Sequence, residues 1–180
     1  MNAPTTTPDE HINCGCPIPA VRRTILAHDL HGSGPEKVLV LHSWMGNARS
    51  FDGLKPSLDT ERFNYAFADL RGYGRSRAFR GTYTADEAAT DAVHLADRLG
   101  WKRFHVVGHS MSGMIVQRMM LNDWRQAQRR IKSAVAITPV SAGGFPADDA
   151  TKKFLNDLIH DAAMTAQGIA GLTGGRLPAR

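Results

Sequence analysis

The chain has 180 residues, of which 42% are apolar and 22% charged, with a formal net charge of +5 and a pI near 9.6. This is the size and balance of one globular domain with a sizeable core, and it excludes a low-complexity chain and a disulfide-dense scaffold. No run approaches the ~18 consecutive apolar residues that a membrane span requires, so no membrane partner is expected.

Residues 1–18 read as a flexible tail rich in Thr, Pro, Asn and Gly. It holds both cysteines, Cys14 and Cys16 in NCGCP, too close in sequence for a stable mutual disulfide. His11 adds a third metal-type side chain, but a tetrahedral site needs a fourth ligand and usually wider spacing, so no metal is expected. Two reduced thiols, and a first twenty residues without a basic start or an apolar h-region, point to the cytoplasm.

Residues 21–30 (VRRTILAHDL) can form a strand, closed by the turn HGSGPE. KVLVLH at 37–42 is a short apolar run between turn signals, the pattern of a buried parallel strand. Residues 48–58 are a weak helix candidate, because Gly53 and Pro56 oppose it. FNYAFAD at 63–69 is the next strand. The loop after it carries Arg71, Arg75, Arg77 and Arg80 between Gly, Tyr and Phe. A solvated loop is the reading preferred over a nucleic-acid surface there.

Thr84-x-x-Glu87 is a capping box opening a helix whose Ala88, Ala92, Leu95, Ala96 and Leu99 share a face, with Gly100 as its left-handed stop. RFHVVGH at 103–109 is a third core strand, 111–121 a helix, and IKSAVAI at 131–137 a fourth core strand. This alternation implies an α/β domain with a mostly parallel sheet over residues 19–140. After Pro139 the spacing predicts a loop, an amphipathic helix over 147–164 with Phe154, Leu155, Leu158, Ile159 and Ala162 on one side, and a loosely ordered Gly-rich end. Residues 141–180 therefore read as a separate region.

Chemistry concentrates at VVGHSMSGM, 106–114. Ser110 falls between the end of a strand and the start of a helix, flanked by the small residues Gly108, Ser112 and Gly113. Such a corner exposes a hydroxyl at the carboxyl end of the sheet and aims free helix N–H groups at whatever that hydroxyl attacks. The competing reading is a strand-to-helix turn with a capping serine. HSWMG at 42–46 leaves the strand 37–42 and can supply a second backbone donor; His42 alone reads as a packed loop histidine, and Trp44 as a wall or core residue.

Taken in order, HSWMG, DLRGYGRS at 69–76 and GHSMSG at 108–113 resemble the oxyanion loop, the DxRGxGxS loop and the nucleophile elbow of the α/β-hydrolase superfamily. The resemblance covers residues 20–140 and is nearest to the esterase, haloperoxidase-like and C–C hydrolase branches. It implies an α/β-hydrolase fold, incomplete at its C-terminal sheet edge, with 141–180 as the beginning of a helical cap. It implies Ser110 as nucleophile and the N–H groups of Trp44 and Met111 as the oxyanion hole, with no cofactor. Ser43 stands where the family has glycine, which bears on the angles of that loop, and Ser112 where it has another. His109 is expected to pack or point aside.

In this superfamily the acid and the histidine follow the nucleophile. The one histidine after Ser110 is His160, on the 147–164 helix with Asp148, Asp149, Asp157 and Asp161 on or beside it. Solvated helix positions are the expected role of all five, which leaves the triad acid and base unassigned. The chain then reads as the front part of a hydrolase, C-terminally truncated as a fragment or gene product or else a form with a substitute base, with strand 131–137 as an unpaired edge prone to self-association. The expected activity is a serine hydrolase acting on an ester or related acyl small molecule through an acyl-enzyme. The alternatives are a cofactor-free perhydrolase or C–C hydrolase, and a non-catalytic domain that binds a small molecule or a partner.

Overall fold

The computed structural model describes residues 25–172, 174 and 175; the tail, Cys14 and Cys16 lie outside them. Five strands form one sheet in the order β1-β3-β2-β4-β5, with β1 His28–His31, β2 Glu36–Leu41, β3 Phe63–Ala68, β4 Phe104–His109 and β5 Ile131–Ile137. β1 runs antiparallel to β3; the other pairings are parallel. The expected α/β sheet is therefore present.

β2 is the central strand, and Val38, Leu39, Val40 and Leu41 are all buried. A strand covered on both faces can be apolar throughout, which is why this run does not alternate. One face packs on α1 (Ala85–Arg98) and α2 (Met111–Arg125) through Leu39, Leu41, Leu95, Phe104, Val106, Ile115 and Met119. Truncating one fully buried side chain of this layer, such as Leu95, costs about 2–5 kcal/mol. The other face carries Val38, Val40 and Phe67 under Phe51 and Leu58.

Several boundaries differ from the sequence reading. The first strand is His28–His31, not 21–30; of the expected span, 21–24 lie outside the described residues. Leu26 is apolar because it is buried in the core, not because it is in the sheet. Residues 48–58 are no helix but two 3-10 turns, Ala48–Phe51 and Lys55–Ser57, separated around Gly53. Thr84 caps α1 through Glu87 N, as expected, but the Glu87 carboxylate reaches past the cap to Tyr83 N at 2.7 Å. Gly100 ends that helix at φ +71°.

The 147–164 helix is broken at Asp161, which is extended and accepts from Ala163 N and Met164 N. Its extended backbone ends α3 (Asp149–His160), and its carboxylate caps the start of α4 (Ala162–Leu172). Residues 168–172, expected to be loose, are helical. Gly168 lets α4 approach α3, since a Cβ there would lie 2.7 Å from Leu158 Cδ2.

β5 is an edge strand. A register shift between Phe104 and His105 places Ser133, Val135 and Ile137 beside His105, Val107 and His109. Those three β5 residues face away from the helices, and Val135 and Ile137 are 51% and 42% exposed. An apolar edge of this kind templates pairing with another chain. The 180-residue chain is expected to self-associate, and Val135→Lys with Ile137→Lys to shift it toward monomer in sedimentation velocity. A monomeric parent, or an unchanged double variant, removes edge pairing as the cause.

Candidate active site

Parallel β2 and β4 are in register, Leu41 opposite Gly108, so Trp44 and Met111 each stand three residues beyond the same rung. Ser110 lies between β4 and α2 at φ 53°, ψ −112°. This is a sparsely populated conformation for an L-residue and costs about 1–3 kcal/mol. Three backbone hydrogen bonds hold it: Ser110 N to Ile137 O at 2.9 Å, Gly113 N to Ser110 O at 2.9 Å, and Val140 N to Ser110 O at 3.1 Å.

Its neighbours are small because there is no room for more. A Cβ on Gly108 would meet Ser112 O at 2.3 Å, and one on Gly113 would meet Pro139 Cβ at 2.4 Å. The Ser110 side chain makes no capping hydrogen bond to α2. The capping-serine reading of this corner is therefore set aside. Among the described residues nothing accepts the N–H of Met111 or of Trp44.

The 42–46 loop is tied directly to the elbow. Ser112, fully buried, donates its hydroxyl hydrogen to the His42 carbonyl. A glycine at 112 has no such donor, so this departure from the family pattern adds an anchor. Ser43 also sits without strain; the positive φ of this loop is at Met45, 59°. The Ser43 carbonyl accepts from His42 Nδ1 at 2.8 Å and from Gly46 N at 3.1 Å.

His42 is buried and accepts at Nε2 from Leu70 N, 3.1 Å. Nδ1 therefore carries its proton. Burial holds its pKa below the usual histidine value, against the Ser43 carbonyl and the Asp69 charge. It is a neutral strut between the loops at 42–46 and 69–76, not a base. His109 alternates onto the sheet face of His105 and Val107, away from α2.

Asp69 locks the same two loops. Its carboxylate accepts from Ala48 N at 2.7 Å, Arg75 N at 3.2 Å and Arg75 Nε at 2.7 Å. Gly74, at φ +47°, allows this, since a Cβ there would lie 2.6 Å from Asp69 Oδ1. Burial raises the Asp69 pKa, but the Ala48 and Arg75 donors outweigh it and hold the carboxyl below its ordinary value. Of the loop's arginines, Arg75 also reaches Asp29 at 2.8 Å, and Arg71 forms a two-pronged pair with Asp91 at 2.8 and 2.7 Å.

Among the described residues no histidine is hydrogen-bonded to Ser110. His160 is exposed and bonded to Asn156 O. Asp148 caps α3, Asp149 and Asp157 pair with Lys152 and Lys153, and Asp161 caps α4. A Ser–His–carboxylate chain does occur elsewhere: His105 Nδ1 is 2.7 Å from Ser133 Oγ and its Nε2 3.1 Å from Glu36 Oε2. Ser133 lies within a strand and not at a strand-to-helix junction. No described group of three or more His, Cys, Asp or Glu side chains could hold a metal, and no described helix is long and apolar enough to cross a membrane.

A cavity of about 360 Å³ adjoins the elbow, walled by Tyr73, Tyr83, Met111, Met114 and Ile115. Neither Trp44 nor any α3 residue is among the residues that line it, and Phe154 and Ile159 are 52% and 55% exposed.

Two measurements follow from these anchors. Ser112→Ala leaves the His42 carbonyl without its donor and is expected to cost about 1–3 kcal/mol in urea unfolding. Asp69→Asn is expected to cost about 2–4 kcal/mol at neutral pH. The Asp69 pKa is depressed on folding, so its contribution is full above its ordinary value of 3.8 and lost as pH falls through the lower folded value. The variant should therefore lose less stability than the parent on acidification below pH ~4. An equal loss in both assigns the acid sensitivity to other carboxylates.

The α/β hydrolase fold family model matches residues 37–180. The chain is 38% identical to a fluoroacetate dehalogenase of Burkholderia sp. over 51% of this chain and 31% of that one. It is 32% identical to a pimeloyl-[acyl-carrier protein] methyl ester esterase of Sodalis glossinidius over 78% of this chain and 53% of that one. The structure is similar to that of a hydrolase from Pseudomonas aeruginosa, with a TM-score of 0.65 and 27% identity over 81% of this chain and 54% of that one. The matched stretch spans about half or less of each of these proteins. With the elbow, the tethered 42–46 loop and the parallel sheet in place, the chain belongs to the α/β-hydrolase fold family.

Proposed function

We propose that this chain carries the nucleophile and oxyanion half of a serine hydrolase acting on an ester or related acyl small molecule. The observation that carries the reading is Ser110, at a strained junction where its hydroxyl makes no capping bond to α2, with the N–H groups of Met111 and Trp44, each three residues beyond the same β2–β4 rung, left without a described acceptor. In this mechanism Ser110 Oγ attacks the substrate carbonyl carbon and gives up its proton to a base. The carbonyl oxygen becomes an oxyanion held by Met111 N–H and Trp44 N–H. Each such donor contributes roughly 10²–10³ in rate. Collapse expels the alcohol and leaves an acyl-enzyme on Ser110, which water then hydrolyses.

Two features support the donor assignment. Met111 is the first residue of α2, where the helix leaves its N–H groups unpaired and its dipole is positive. Trp44 is carried by a loop fixed to the elbow through Ser112. Preorganisation of this kind is what lets a donor stabilise charge without reorganising. The base and its orienting acid are not supplied by the described residues, so in this reading they belong to another part of the protein. α3 and α4, which pack on each other beyond the sheet, are read as the opening of a cap over the site.

The relatives' names span a dehalogenase and a methyl ester esterase, so the nucleophile, not the fold, decides the reaction. A serine favours acyl transfer. In protein that carries that base, a fluorophosphonate probe is expected to label once, with labelling abolished in Ser110→Ala and the adduct located on Ser110 by mass spectrometry. Folded protein of this kind that takes no label, or labels equally in Ser110→Ala, overturns the assignment. Peracid formation exceeding ester turnover would move it to perhydrolysis at the same serine.

A further inference from the structure

We infer that the cavity beside the elbow is an anion subsite, and that the acyl substrates of this site carry a second, ionised carboxylate held by Arg77 and Arg80. The inference rests on the acyl-transfer reading of Ser110 and adds the substrate class. The cavity wall formed by Met111 is one residue, and so one ~3.8 Å Cα step, from Ser110. Most of that wall is apolar or aromatic: Tyr73, Met111, Met114 and Ile115.

The charges around it are unevenly paired. Arg71 is committed, with Nε and Nη2 on the Asp91 carboxylate and Nη1 donating to the Arg80 carbonyl at 2.5 Å. Glu87 is committed too, accepting from Tyr83 N and lying 3.6 Å from Arg71. Both acids thus serve one arginine. Arg77 and Arg80 line the same cavity, and their guanidinium groups have no hydrogen-bond or ion-pair partner among the described residues. The bond from Arg71 to the Arg80 carbonyl fixes the loop that carries them.

A lining that combines an apolar wall with two unpaired arginines matches a methylene chain that ends in a carboxylate. Guanidinium forks bind carboxylates through paired N–H donors, and the apolar wall screens that attraction less than open water does. A neutral acyl chain of equal length fills the wall and leaves the cations unused. The subsite therefore selects for half-esters of dicarboxylic acids over esters of simple fatty acids.

The test compares kcat/KM for monomethyl glutarate and methyl pentanoate, which share chain length and differ in the terminal charge. The protein is expected to favour the charged ester by at least tenfold at low salt. Raising the salt, or R77Q with R80Q, should bring the ratio close to one. Both side chains are exposed, so the double variant should melt with the parent. Glutarate titrated calorimetrically into Ser110→Ala separates the two readings. Binding there that is lost when R77Q and R80Q are added supports the subsite even if no ester is turned over, an outcome that would sink the acyl-transfer reading alone. Ester turnover without a charge preference and without glutarate binding overturns the subsite and leaves the hydrolase. Absence of both turnover and glutarate binding overturns the subsite as well.

Discussion

The site depends on one backbone constraint: Ser110 is held at φ 53°, ψ −112°, where an isolated chain would not stay. The constraint comes from the sheet. β4 ends against β5, and the Ser110 amide is taken by Ile137 O at the last rung of that pairing. α2 then has to start at once, packed so tightly on β4 that position 108 has no space for a side chain. Strand pairing on one side and helix packing on the other hold the Ser110 backbone in this one conformation. Loss of either would let the turn relax into an ordinary helix cap, with the serine bonded to its own backbone.

Around that corner, buried polar groups replace apolar packing as the cement. Ser112 joins the elbow to the 42–46 loop; His42 joins that loop to Leu70; Asp69 joins the 69–76 loop back to Ala48. Each link pairs a side chain with a backbone group, so it fixes the position of a loop rather than only its burial. A loop held by apolar contacts can slide by an ångström at small cost, whereas a buried hydrogen bond is lost over that distance. Oxyanion donors must be placed to that tolerance. The polar network is thus the structural counterpart of the chemistry proposed for Ser110.

The strands were legible because a short apolar run between turn residues has few other uses, and the elbow because only a crowded turn needs Gly108, Ser112 and Gly113 together. The misreadings share a cause: a residue type that serves two purposes. Leu26 looked like strand and is core; Glu87 looked like the second half of a capping box and reaches one residue further back; Asp161 looked like a solvated helix position and ends the helix. Ser112 was legible as small but not as a donor, because its acceptor, the His42 carbonyl, comes from the far side of the β2–β4 ladder. Such pairings are set by topology, which local spacing does not encode.

The contrast between two serines shows where reactivity comes from. Ser133 has what a side-chain search would look for, a histidine at 2.7 Å with a glutamate behind it. It nevertheless stands on an exposed edge strand, and the same glutamate is held by Lys132, whose ammonium keeps its charge paired. Nothing there could stabilise an oxyanion, and open water would compete for every step. Ser110 has no such histidine among the described residues, yet it has the strained backbone, the helix start, the second unpaired amide and the adjoining cavity. A base can be brought in by another segment of chain through a single hydrogen bond. Preorganised amides cannot be added later, because they are the backbone of the sheet and helix themselves. That asymmetry is why the serine that lacks a partner, and not the one that has it, is the one proposed as the nucleophile.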